Sequence, residues 1–106
     1  MADIPLEVLD IAKEYLEKVK SRIPVDRAYL FGSYAKGIFN KDSDVDIAVF
    51  SPAFESMTRI DGLTLLLMLA LGFDADLQPQ PFTSQDFDED SGMAFEIRKT
   101  GIELPV

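Results

Sequence analysis

The sequence predicts an α/β domain built on a small sheet. Two observations predict it. Apolar residues near the N-terminus recur at spacings of three and four, and short apolar runs of strand length recur further along. The two kinds of segment alternate in the order α-β-α-β-α-β-α-β, which places helices against a sheet rather than in a separate layer. At 106 residues the chain is expected to form one domain, spanning 1–106, around a single modest core.

Residues 5–22, "PLEVLDIAKEYLEKVKSR", read as the first helix, with Leu6, Leu9, Ala12, Leu16, Val19 and Ile23 as its apolar stripe. Pro5 suits its first turn, Glu14 and Lys18 form an i,i+4 pair, and Pro24 ends it. Residues 27–31, "RAYLF", read as a strand, and a short helical turn follows Gly32-Ser33. A second strand is expected over 44–50, "DVDIAVF". A helix is expected from Phe54 to Leu71, capped after its end by Gly72. Its second half is apolar all round, so it must be covered on more than one face, by core or by a partner. Residues 74–79, "DADLQP", read as a third strand that stops at the prolines. A helix over about 90–100 and a last strand, Ile102 to Leu104, complete the order.

Composition narrows the chemistry. There is no cysteine and no histidine, which removes thiol and triad nucleophiles, thiolate or imidazole metal ligands and the usual neutral-pH base. A net charge of −9 argues against free nucleic acid as the main partner but permits a phosphorylated ligand carried with magnesium. No signal peptide is visible, and "GLTLLLMLALGF", Gly62 to Phe73, is shorter than the roughly 20 residues of a bilayer span. A soluble, cytoplasmic protein is the expectation.

The residues that carry chemistry lie in "LFGSYAKGIFNKDSDVDIAVF", residues 30–50. Gly32-Ser33 ends a strand, so its free amides and the Ser33 hydroxyl can face a phosphate, with Ser33 capping the turn. By itself this dipeptide reads first as a strand-to-helix turn that needs glycine. The stretch is not a Walker A loop, because Ile38-Phe39 stand where Lys-Ser/Thr is required. Nor is "DSDVDI" a calcium loop, since Ile47 occupies the obligatory glycine position.

Alternation along the second strand turns Val45, Ile47 and Val49 to the core and Asp42, Asp44 and Asp46 to the other face. Asp44 and Asp46, about 6.5 Å apart on one face, repel by roughly 2.5 kcal/mol at an effective dielectric of about 20. A magnesium ion bound by the carboxylates would relieve that repulsion, and Asp76 could supply a third oxygen ligand. Two such ions about 3.5–4 Å apart would clamp a phosphoryl transfer. The competing account is a solvated edge strand that happens to be acidic.

Gly32-Ser33, ten residues, then Asp44-x-Asp46 resembles the signature of the nucleotidyltransferase superfamily that includes DNA polymerase beta and kanamycin nucleotidyltransferase. The similarity is nearest to the minimal nucleotidyltransferases and extends to the terminal "RKTGIEL". It implies a small mixed β-sheet flanked by helices, the nucleotidyltransferase fold. It implies that Asp44 and Asp46 ligate the magnesium ions carrying a nucleoside triphosphate, and that Gly32 and Ser33 hold its β- and γ-phosphates. The third carboxylate, which activates the attacking hydroxyl, falls to Asp76, with Asp74 as the fallback. Lys36 stands where the family often has arginine.

The resemblance also implies a reaction. Minimal nucleotidyltransferases are commonly the antitoxin of a HEPN-type RNase toxin and can transfer AMP from ATP to a tyrosine of that toxin. The expected function is therefore a magnesium-dependent protein adenylyltransferase in a toxin-antitoxin system, with two magnesium ions and ATP as substrate. The alternatives are an antitoxin acting by contact alone, or a small-molecule nucleotidyltransferase of the antibiotic-modifying type.

Overall fold

A computed structural model describes residues 4–40 and 42–106. It contains α1 (Leu6–Lys20), β1 (Arg27–Phe31), α2 (Ser33–Lys36), β2 (Val45–Phe50), α3 (Arg59–Ala70), β3 (Leu77–Phe82), α4 (Met93–Thr100) and β4 (Ile102–Leu104). The four strands form one mixed sheet in the order β3-β2-β1-β4. β1 is antiparallel to β2 and β4, and β2 is parallel to β3. The acidic strand is thus central rather than at an edge, with Asp46 half-buried on it and Asp44 exposed just before its start.

Both faces of the sheet are covered. Val45, Ile47 and Val49 pack on one face against α1 and α3, through Ala12, Leu16, Val19, Leu66 and Leu69. Beyond Asp46 the opposite face is also apolar: Ala48 and Phe50 join Tyr29, Phe82, Ala94 and Ile97 in a second cluster under α4. The acidic surface is therefore confined to the N-terminal end of β2.

The buried face of α1 is rotated from the expected stripe. Val8, Ala12, Tyr15, Leu16 and Val19 are buried, whereas Leu6 is 76% exposed. Tyr15 enters the core because its hydroxyl is satisfied there, donating to the Leu66 carbonyl at 2.8 Å. Burial pushes its hydroxyl pKa well above the ordinary tyrosine range.

The expected helix over 54–71 is two pieces. A 3-10 turn, Pro52–Ser56, is separated from α3 by extended backbone at Met57 and Thr58. The Thr58 hydroxyl accepts from the Asp61 N–H at 3.0 Å, a side-chain cap that starts a new helix. Gly62, Leu66 and Leu69 of α3 are buried, while Ile60, Leu67, Met68 and Leu71 are exposed. This helix is core on one side and uncovered on the other.

The third strand runs Leu77–Phe82, not 74–79, and contains both prolines. The Asp76 and Phe82 carbonyls accept from the Val45 and Ser51 N–H groups, so even-numbered residues turn their peptide groups toward β2. Pro79 and Pro81 turn theirs to the open edge, where the missing donor costs nothing. No helix among the described residues is long and apolar enough to cross a membrane.

Candidate active site

Three chain segments meet at one end of the sheet. β1 passes from Phe31 into Gly32, β2 begins directly after Asp44, and β3 begins directly after Asp76. The pairing makes these ends coincide: Phe31 lies opposite Asp46, Val45 opposite Leu77, and Asp46 opposite Gln78. The Val45 N–H donates to the Asp76 carbonyl at 2.9 Å, which fixes the two acidic strand entries side by side.

Gly32 caps α2 with φ 73° and ψ −144°, a backbone that an L side chain rarely adopts. A Cβ there would overlap Oδ2 of Asp46 and lie 3.0 Å from its Cγ. The glycine thus lets the carboxylate rest on the main chain. Ser33 is not the cap, as its pattern suggested, but the first residue of α2. Gly32→Ala is expected to cost about 1–3 kcal/mol through its positive φ and the overlap with Asp46. The cost of Gly32→Ala should be smaller in an Asp46→Ala background than in wild type, because the overlap is then absent, as read from thermal melts of all four proteins.

The carboxylates sense one another. Asp44 shares a hydrogen bond with Asp76 that holds its carboxyl above the ordinary value, and the Asp76 charge adds to this. Asp76 is held below the ordinary value, first by that same bond and then by Gln78, whose Nε2 donates to Oδ1 at 2.8 Å. Asp46 is raised chiefly by desolvation, then by the charges of Asp44 and Asp76. Asp76, rather than Asp74, is therefore the third member of the cluster. Asp74 is exposed on the bend before β3, and Asp42 is exposed in the loop before β2.

The donor set suits a hard cation: three carboxylates, two of them raised by crowding and burial. Among the described residues no three acids already converge as a ready-made ligand cage. Asp76 is turned partly toward Gln78, from which its Oδ1 accepts, so a cation would share that carboxylate with the Gln78 amide. Gln78 was not singled out from sequence. The signal was there, since a residue two beyond Asp76 on a strand shares its face.

A cleft of about 640 Å³ opens beside Asp76, between the start of α1, the loop before β2 and the bend before β3. Tyr34 and Phe39 form part of its wall, stacked with ring centroids 4.6 Å apart.

Comparison with known proteins places this arrangement. The model of the nucleotidyltransferase domain matches residues 12–98. A protein of Methanocaldococcus jannaschii, provisionally named a protein adenylyltransferase, is 37% identical over 46 residues, which are 42% of this chain and 46% of that protein. The match thus spans about half the length of that relative. A crystal structure from Sulfolobus solfataricus, provisionally described as a nucleotidyltransferase, superposes with a TM-score of 0.67 at 25% identity, over 78% of this chain and 73% of that one. Since the family model runs from within α1 into α4 and takes in the whole carboxylate site, the chain belongs to the nucleotidyltransferase domain family.

Proposed function

We propose that this protein is a magnesium-dependent adenylyltransferase that moves AMP from ATP to a tyrosine of a HEPN-type toxin. The observation that carries the reading is the packing of Asp46 on Gly32 beside the entries of Asp44 and Asp76, which the Val45 N–H to Asp76 carbonyl bond holds side by side. The protein-adenylyltransferase name of the M. jannaschii relative supports the choice of a protein acceptor.

Asp44 and Asp46 would hold magnesium, with Asp76 as the third ligand. When bound, the metal supplies positive charge to the triphosphate and relieves the repulsion among the carboxylates. The chain's own groups do the rest. Gly32 and Ser33 offer backbone amides and a hydroxyl to the β- and γ-phosphates at the start of α2. The tyrosine oxygen forms a bond to the α-phosphorus while the bond from that phosphorus to the oxygen bridging to the β-phosphate breaks. Pyrophosphate leaves with the electron pair, and the phenolic proton passes to a carboxylate oxygen of Asp76 and on to water. Gln78 orients that carboxylate and favours its ionised form.

The test is label transfer from ATP carrying the label at the α-phosphate, with magnesium, in a lysate containing the partner. One labelled protein band, absent with Asp44→Asn, is the expected result. No label while partner binding persists would favour an antitoxin acting by contact alone. That second reading has its own support in the uncovered side of α3, where Ile60, Leu67, Met68 and Leu71 are exposed.

A further inference from the structure

We propose that the cleft under α1 is a docking groove for a basic protein segment that inserts apolar side chains, apart from the face that carries the phosphate chemistry. The groove takes no part in the transfer step, so its occupancy is measured without nucleotide or magnesium.

Placement comes first. The cleft is walled by Val8 and Ile11 of α1, Tyr34 of α2 and Val45 of β2. Val45 belongs to the core packed on α1, and side chains alternate along a strand, so the cleft opens on the sheet face opposite Asp44 and Asp46. Neither of those carboxylates lines it, nor do Gly32 and Ser33. Asp76 borders it from the entry to β3.

Chemistry selects the occupant. The wall is apolar, and Tyr34 stacks with Phe39 at a centroid separation of 4.6 Å. Such a surface suits leucine, phenylalanine or the flat guanidinium of arginine. The mouth carries Glu7 on α1, Asp42 before β2, and Asp74 and Asp76 before β3, all exposed. None of the described lining residues is basic. Carboxylates on three separate segments border one apolar wall, so the matching ligand carries several cations spaced around an apolar anchor. A chain segment with lysine and arginine flanking its apolar residues has that pattern, and a small amine with one charge does not. A nucleotide, a nucleic-acid strand or an anionic membrane would meet like charge.

Size points the same way. A volume of about 640 Å³ lies in the range of sites that enclose a ligand of several groups, not one side chain. Leu6 and Ile38, next in sequence to the lining residues Pro5 and Phe39, are 76% and 73% exposed. Uncovered apolar surface thus adjoins the lining at two places.

The experiment reads the anisotropy of dye-labelled peptides titrated with the whole chain. The first peptide carries leucine and phenylalanine among lysines and arginines. The second keeps the apolar residues and replaces the bases with Asp and Glu. The third keeps the bases and replaces the apolar residues with serine. The first should bind at least about tenfold tighter than either of the others and weaken in added salt. Glu7→Lys and Ile11→Lys, each verified as folded by its melt, should weaken it at least about fivefold. Leu67→Glu, on the outer side of α3, should leave it unchanged.

Equal binding of the first and second peptides, or of the first and third, overturns the inference, as does no binding below about 1 mM. Loss of binding in Leu67→Glu with none in Glu7→Lys would overturn it by placing the segment on α3. If ATP displaces the peptide and Ile11→Lys weakens ATP binding, the groove is a nucleotide site and the proposal falls. It falls likewise if the chain alone sediments as a dimer that Ile11→Lys splits, since the occupant is then a second copy of this chain.

Discussion

Asp46→Asn is expected to abolish the proposed AMP transfer and, in metal-free buffer near neutral pH, to raise the melting temperature. The loss of rate should be on the order of 10³-fold or more. Charge stabilisation in a two-metal phosphoryl site is worth several kcal/mol, and each ~1.36 kcal/mol is tenfold. The gain in stability follows from the raised carboxyl. Asp46 is half-buried beside Asp44 and Asp76, so the folded protein holds its proton more tightly than the unfolded chain does. Its favourable contribution is fully present below the ordinary value of 3.8 and is lost as pH rises through the raised value. Asparagine keeps the shape and removes the charge.

The difference between wild type and Asp46→Asn should therefore vanish in acid below 3.8 and open as the pH rises above it. Asp44 works in the same direction, while Asp76, held low, stabilises above 3.8 and loses its contribution as pH falls through its own lowered value. Magnesium with ATP should reverse the order of the melts. Equal melting temperatures across this pH range would sink the idea that the carboxylates are strained without a cation.

The second large effect separates the two sides of α3. Leu66 is fully buried, and its carbonyl accepts the Tyr15 hydroxyl. Leu66→Glu loses about 2–5 kcal/mol for the missing side chain and adds the cost of placing a carboxylate in an apolar core. Against a total stability of roughly 5–15 kcal/mol, no cooperative melt should remain. Leu67, one residue on, is 42% exposed, so Leu67→Glu should shift stability by no more than about 0.5 kcal/mol. The variant that tests partner contact is therefore Leu67→Glu: loss of binding to the proposed toxin partner, with an unchanged melt, identifies the outer side of α3 as the interface. A Leu67→Glu domain that fails to fold would show that this side is core as well.

The placement of the candidate carboxylates was legible because alternation on a strand is a strict rule. Asp44 and Asp46 stand opposite Val45 and Ile47 in the sequence, and a one-residue slip would have put the carboxylates in the core. β1 and β4 also fall where the apolar runs predicted. The misreadings have local causes. Pro79 and Pro81 looked like a strand terminator because a proline's penalty depends on which way its nitrogen faces, and that is decided by the neighbouring strand. The run Leu65 to Leu69 carries no period, so nothing local says which leucines are inside. Thr58 was read through because a cap matters only if the helix starts there. The second core needed Phe50, Phe82 and Ile97, far apart in sequence, to meet across the sheet.

The two prolines have one more effect. On the outer side of β3, the Leu77 N–H is already spent on the Ala75 carbonyl, Pro79 and Pro81 have none, and Arg59 donates to the Pro81 carbonyl at 3.1 Å. An incoming chain that tried to add itself as a fifth strand would find no free backbone N–H along β3 there. Self-templated strand growth is blocked along that border, and so is recognition by strand addition. A partner that settles on this flank has to be chosen by its side chains.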